Sequence, residues 1–169
     1  MLKILEAPSK LKSLNKIKLF LAGGISNCPN WQNEIIEKIK SEKYPQTKNM
    51  FEHTDIFNPR RKKMSKKISR NKLKEQIIWE HNKLKESNII LFWFSKGSLN
   101  PITLFEYGKY LPTAMRLVVG IDPEYERKDD VIIQTRVIRT SQKINNSLED
   151  LYEDLKSTIF EEIIRQNNI

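Results

Sequence analysis

"IILFWF" occupies residues 89–94 and "LNPITLFEYGKYLP" residues 99–112. An unbroken apolar run bounded by polar residues reads as a strand buried on both faces, the central position of a parallel sheet. Asn100-Pro101 then reads as the cap and first-turn proline of a helix. A strand leading directly into a helix is the repeating unit of an α/β fold.

The same alternation extends outward on both sides. Upstream, "KIKLFLAGGI" predicts a buried strand over residues 17–22 that ends in a Gly-Gly turn. "CPNWQNEIIEKIKSEKY" predicts a helix, with Pro29 in its first turn and Trp31, Ile35, Ile36 and Ile39 on one face. "HTDIFNPRR" reads as a short strand over residues 55–57, stopped by Asn58-Pro59. A long amphipathic helix is expected from about residue 65 to residue 86, with Ile68, Leu73, Ile77 and Leu84 as its apolar stripe. Downstream, "RLVVGID" gives a buried strand at 117–121 and "DVIIQTRVI" a further strand at 131–138. The tail forms a helix over residues 146–166, with Ser147 and Asp150 spaced as a capping box. The expectation is a single flavodoxin-like three-layer domain over residues 1–169, with a parallel sheet of about five strands and an N-terminal extension at 1–15.

Composition agrees with a packed domain: of 169 residues, 38% are hydrophobic and 30% charged, enough apolar material for a core. No apolar run reaches the ~20 residues of a membrane span, and the N-terminus has no signal-like h-region. The single cysteine, Cys28, has no partner in the chain, which fits a reducing cytoplasm. The formal charge of +9 concentrates in residues 58–74, "NPRRKKMSKKISRNKLK". Such a cluster attracts phosphates or simply solvates a helix face. Aromatics are not interleaved with it, so nucleic acid is not the expected partner.

In sheets of this kind, ligands bind beyond the carboxyl ends of the strands. Three segments should meet there: Gly23-Gly24-Ile25, Asn58-Pro59-Arg60-Arg61, and residues 95–106. The last carries Glu106 between Phe105 and Tyr107, and a carboxylate among such neighbours is normally paired or used. Glycosyl transfer by double displacement needs a carboxylate nucleophile and an acid/base partner, and Glu80 is the best second candidate. The bland alternative has Glu80 facing solvent and Glu106 in a helix-end ion pair. His53 and His81 lack partners at ligand spacing, so no metal site is expected. "LAGGIS" has neither a dinucleotide fingerprint nor a phosphate loop, so no cofactor is expected. Cys28 reads as a small helix-entry residue, and Trp79 and Trp93 as core.

Taken together, "LFLAGGISNCPNWQ", "FNPRR", "QIIWEHNKLKESNIILFWF" and "PITLFEYGKY" resemble the nucleoside 2-deoxyribosyltransferase family, in particular its deoxyribosyltransferase-like branch. "GIDPEYERKDDVIIQT" is similar to that branch's downstream segment. The resemblance implies cleavage of the N-glycosidic bond of 2′-deoxynucleosides and transfer of the sugar to another base or to water. It implies Glu106, in "TLFEYG", as nucleophile and Glu80 as the acid, where the typical transferase has aspartate. It further implies a homo-oligomer whose pockets are completed by a neighbouring subunit. Two positions depart from the family: its Asp upstream of the nucleophile falls on Asn100, and its first-strand Tyr falls on Phe20. Asn100 can bond a base or sugar hydroxyl but cannot act as an acid, and Phe20 offers Glu106 no hydroxyl.

On this reading Gly23 and Gly24 allow close backbone approach, Ile25 and Trp31 flank the base, and Asn58 holds a polar edge. The expected partners are a deoxynucleoside or deoxynucleotide and a free nucleobase, with no cofactor or metal. Two rivals stand beside it. One is a deoxynucleoside 5′-monophosphate N-glycosidase, with Arg60 and Arg61 gripping the phosphate. The other is a non-catalytic nucleotide- or nucleic-acid-binding module that kept the fold.

Overall fold

Six strands, all parallel, form one sheet in the order β1-β3-β2-β4-β5-β6. The computed structural model describes residues 2–61 and 69–168. The strands are β1 Lys3–Glu6, β2 Ile17–Gly23, β3 Thr54–Asn58, β4 Ile89–Phe94, β5 Arg116–Ile121 and β6 Ile144–Asn145. The helices are α1 Trp31–Lys40, α2 Pro45–Glu52, α3 Arg70–Glu86, α4 Pro101–Tyr110, α5 Lys128–Ile138 and α6 Leu148–Asn167. Among the described residues, the order β3-β2-β4-β5-β6 is the flavodoxin-like arrangement, and β1 adds a strand beyond β3.

The apolar run at 89–94 is buried at every position and pairs with β2 on one side and β5 on the other. Its alternate side chains face opposite layers, so one strand feeds two cores. On one face, Phe20, Ala22, Phe92 and Phe94 pack under Trp79 of α3, Tyr107 and Tyr110 of α4 and Val131 of α5. On the other, Leu19, Leu21, Leu91 and Trp93 pack under α1, Phe51 of α2 and Leu151, Leu155 and Ile159 of α6. This three-layer arrangement satisfies the burial demand of a parallel sheet on both sides.

Several local expectations change. The segment read as an N-terminal extension contributes β1, so the sheet has six strands rather than about five. Buried Asp55 anchors it: its carboxylate accepts from Ser13 Oγ (2.8 Å), Leu14 N (2.7 Å), Asn15 N (3.2 Å) and Asn15 Nδ2 (2.8 Å). "DVIIQTRVI" is helical, not a strand. Asp129 and Asp130 favour its positive end, and Val131 and Thr135, four apart, are its buried residues. Residues 45–52, unassigned above, form α2 with Pro45 in its first turn.

Pro29 lies outside α1: the helix begins at Trp31, and Asn30 caps it by accepting from Asn33 N at 3.3 Å. The start expected for α3 near residue 65, with Ile68, lies outside the described residues; its described N-cap is Ser69. Leu73 and Ile77, expected on that helix's apolar stripe, are exposed, and the buried residues are Trp79 and Leu84. Ser147 caps α6 as expected: its Oγ accepts from Asp150 N at 3.0 Å.

Candidate active site

Strand β2 lies between β3 and β4, and the chain leaves β2 toward one side of the sheet and β4 toward the other. The carboxyl ends of β2 and β4 therefore form the topological switch point, where such sheets bind ligands. Register places Gly23 opposite Trp93 there. The loops after the two strands then meet face to face. A β-carbon on Gly24 would lie 1.9 Å from Asn100 Oδ1, so only glycine lets the loops approach this closely.

Asn100 starts α4, but not as a side-chain cap. Its backbone is left-handed (φ 49°), and its Nδ2 donates to Ser95 O and Ser98 O, both at 3.0 Å. These bonds pin the loop between β4 and α4. They leave Asn100 Oδ1 and the neighbouring Ser95 Oγ buried without a hydrogen-bond partner among the described residues. Orphaned buried polar atoms are uncommon, and Ser95, marked in the sequence only as the start of segment 95–106, joins Asn100 here.

The glycine turn is braced from below. Trp31 is fully buried, its Nε1 donating to Gly24 O at 3.1 Å, so it forms the floor of the turn instead of an open face beside a base. A β-carbon on Gly23 would lie 2.5 Å from its ring. Ile25 is half-buried beyond the turn. Gln32 Nε2 also donates to Gly24 O, at 3.2 Å, and Gln32 Oε1 accepts from Arg60 Nε at 3.0 Å. Arg60 Nη2 reaches Pro29 O at 3.1 Å. Asn58 is buried, and its Oδ1 accepts from Arg60 N at 3.0 Å, a local turn bond. Arg60 thus ties the end of β3 to the turn after β2.

Arg61 is bonded toward α3. Its Nη2 donates to Lys72 O at 2.8 Å and its Nε to Gln76 Oε1 at 2.5 Å. Gln76 Nε2 then donates to Glu80 Oε1 at 2.7 Å and to Pro59 O at 3.3 Å. The two carboxyl groups singled out in the sequence lie on α3 and α4, helices of one layer, and both are half-buried. Burial pushes the Glu106 carboxyl up to about 8; the Glu80 charge adds to this and Lys109 opposes it. Burial also raises Glu80, against the Gln76 hydrogen bond and the Arg61 charge. Among the described residues Glu106 makes no hydrogen bond or ion pair, so the bland helix-end salt bridge is not its role. Two nearby carboxyls with unequal support can divide acid and nucleophile work between them.

Trp79 and Trp93 are core residues, as expected, and Trp79 Nε1 donates to Ser9 O at 3.0 Å. An open groove of about 1090 Å³ lies elsewhere, between α2 and α6, lined by residues including Leu14, Met50, His53, Phe160 and Ile163. None of the described residues that line it is a carboxylate. Among the described residues no group of three His, Cys, Asp or Glu side chains could hold a metal ion, and no helix is long and apolar enough to cross a membrane.

A parallel sheet in this strand order, with a glycine turn at its switch point, places the chain in the flavodoxin-like class of α/β proteins. Within that class, the family model described as "Nucleoside 2-deoxyribosyltransferase like" matches residues 16–125, and the chain belongs to this family. No curated protein matches the chain.

Proposed function

We propose that the protein cleaves the N-glycosidic bond of 2′-deoxynucleosides through a covalent deoxyribosyl ester on Glu106, and passes the sugar to a second base or to water. The observation that carries this reading is the pair of half-buried carboxyls, Glu106 on α4 and Glu80 on α3, the second linked through Gln76 to Pro59 at the end of β3. Glu106 attacks C1′ as the C1′–N bond breaks, and Glu80 protonates the departing base. Gly23 and Gly24 let the loops after β2 and β4 close together against Trp31 and Asn100, and Ile25 stands half-buried beyond the same turn. The monophosphate reading draws on Arg60 and Arg61, and both guanidinium groups already donate to protein acceptors. The unphosphorylated deoxynucleoside is therefore the preferred substrate.

Chromatography of deoxynucleosides and their monophosphates, incubated with and without a second free base, tests the reaction. Base release from the deoxynucleoside is expected, and Glu106→Gln should lower it by at least a hundredfold with the fold intact. Mass spectrometry should find the trapped sugar on Glu106. Activity within tenfold of wild type in Glu106→Gln, or an adduct elsewhere, would remove Glu106 as nucleophile. Salt-dependent binding of DNA or RNA with no base release would favour the non-catalytic module.

The proposal extends to assembly: a dimer-based homo-oligomer with α4 near the subunit contact. Its support is the exposure of Leu99, Ile102 and Phe105 beside Glu106.

A further inference from the structure

The bonds around Glu80 and Glu106 are unequal. Glu80 receives a hydrogen from Gln76, and the orientation of that amide is not arbitrary. Its Oε1 faces the Arg61 guanidinium, which can only donate, and its Nε2 faces the Glu80 carboxylate. The reverse orientation would set NH₂ against guanidinium and oxygen against carboxylate. Gln76 and Glu80 are four residues apart on α3, so the helix itself sets the contact. Pro59 O takes the second amide hydrogen, and Lys72 O holds the far side of Arg61. Glu106 has no such support.

Among the described residues, the remaining charged or titratable groups that act on the pair lie on α4. Lys109 favours the ionised form of Glu106, and Tyr110 is a phenol that feels the Glu106 charge. The sheet face beneath the two helices packs Phe20, Ala22, Phe57 and Phe92 there, and its charged residues are bonded elsewhere, Lys18 to Glu86 and Asp55 to residues 13–15. The Glu80 charge acts on Glu106, and two interacting carboxylates in a half-buried setting resist ionising together. Such a pair gives up its last proton only at raised pH, and the bonds decide which member holds it.

We propose that Gln76, clamped by Arg61, is a positioning residue that keeps Glu80 the ionised member of the pair, so that the free protein stores the pair's single proton on Glu106. The hand-over that follows rests on the N-glycosidic reading; the storage does not. When the deoxynucleoside binds, the proton crosses from Glu106 to Glu80. The freed Glu106 oxygen bonds to C1′, the C1′–N electron pair leaves with the base, and Glu80 gives that nitrogen the proton. Glu80 is then ionised again and takes a proton from the incoming water or base as its oxygen or nitrogen attacks C1′. The ester C–O pair returns to Glu106, and the proton crosses back to it. Each cycle restores one proton on Glu106, and no outside acid is needed. Arg61 acquires a role here that is not phosphate binding.

The test is a carboxyl-carbon NMR titration of the full chain labelled with ¹³C at glutamate Cδ, assigned with Glu80→Gln and Glu106→Gln. In the wild type, Glu106 should titrate well above Glu80, and in Glu80→Gln the Glu106 midpoint should fall. Gln76→Met should raise the Glu80 midpoint by about one pH unit, the usual worth of one charge-assisted hydrogen bond. Gln76→Glu, nearly isosteric, should raise it further, and Arg61→Met should move it in the same direction. A Glu80 midpoint unmoved in all three variants, or Glu106 titrating below Glu80 in the wild type, overturns the proposal. With a deoxynucleoside, Gln76→Met should lower kcat about tenfold, leave KM within twofold and shift the acid limb of kcat/KM upward. Titrations as expected with no base release would retain the proton storage and reject the N-glycosidic reading; base release with unmoved titrations would do the reverse.

Discussion

At Glu106 the fold holds a carboxyl in a setting that disfavours its charge, and this has a cost in stability. Its ordinary value of 4.5 rises to about 8, first through burial and then through the Glu80 charge. Between those values the native state keeps a proton that the unfolded chain releases, so stability falls as pH rises through this window. The stabilisation present below about 4.5 is gone above about 8. Urea unfolding at pH 5 and pH 8.5 should show a larger loss for wild type than for Glu106→Gln, which cannot ionise. Equal losses would mean that Glu106 is not desolvated in solution. The variant that removes the nucleophile should then be the more stable protein at alkaline pH, a trade-off familiar from strained active sites. Gly24 and Asn100 make the related point in steric form, since the loop that carries Asn100 can be held where it is only because Gly24 has no side chain.

Among the elements, β1 and the segment after it have the clearest energetic role. An edge strand at β3 would present unpaired amides, and β1 covers them with four paired positions, Lys3 to Asp55 through Glu6 to Asn58. The register is held where the chain turns back into β2, by the four hydrogens donated to buried Asp55 from residues 13–15. Asp55→Ala would leave those donors without their acceptor and should cost about 2–4 kcal/mol, the scale of losing hydrogen bonds to a buried charge. The urea midpoint measures this directly. A change under about 0.5 kcal/mol, the size of an ordinary surface substitution, would show that β1 is not anchored through Asp55.

For the molecule as a whole, the layer of α3, α4 and α5 differs from its opposite. It leaves Leu73, Ile77 and Ile78 of α3, Leu99, Ile102 and Phe105 at and before α4, and Ile133 and Val137 of α5 exposed. Scattered apolar residues are normal on a surface, but three of these lie within eight residues of the proposed nucleophile. The dimer-based assembly proposed above uses this layer. Light scattering at low micromolar concentration should give a mass of at least two chains, and Phe105→Glu should reduce it to one. A single-chain mass for the wild type, with full activity, rejects the shared contact.

What was legible in the sequence was whatever local chemistry determines. The both-sides-buried run at 89–94, the Gly-Gly turn after β2, the Asn-Pro start of α4 and the Ser147 cap depend on a few neighbouring residues and read directly. Glu106 stood out as a carboxylate between aromatic residues after the central strand, and Glu80 as an acid on the helix that precedes that strand; the chemistry given to them belongs to the proposal. Tertiary structure decided the rest. "DVIIQTRVI" has the β-branched content of a strand, yet it is a helix, because Val131 and Thr135 pack against the layer beside Tyr107 while Ile133 and Val137 stay outside. Segment 1–15 has too little pattern to announce β1, whose strand exists because β3 offers it an edge and Asp55 an anchor. Trp31 could face a ligand or a core on sequence grounds, and Gly24 O and the α1 packing place it in the core. Arg60 and Arg61 are adjacent in sequence and look alike, but the first bonds across to the turn after β2 and the second along α3 to Gln76. Partners 11 to 36 residues away set those roles, and contacts over such separations belong to the packed chain and not to any stretch of it.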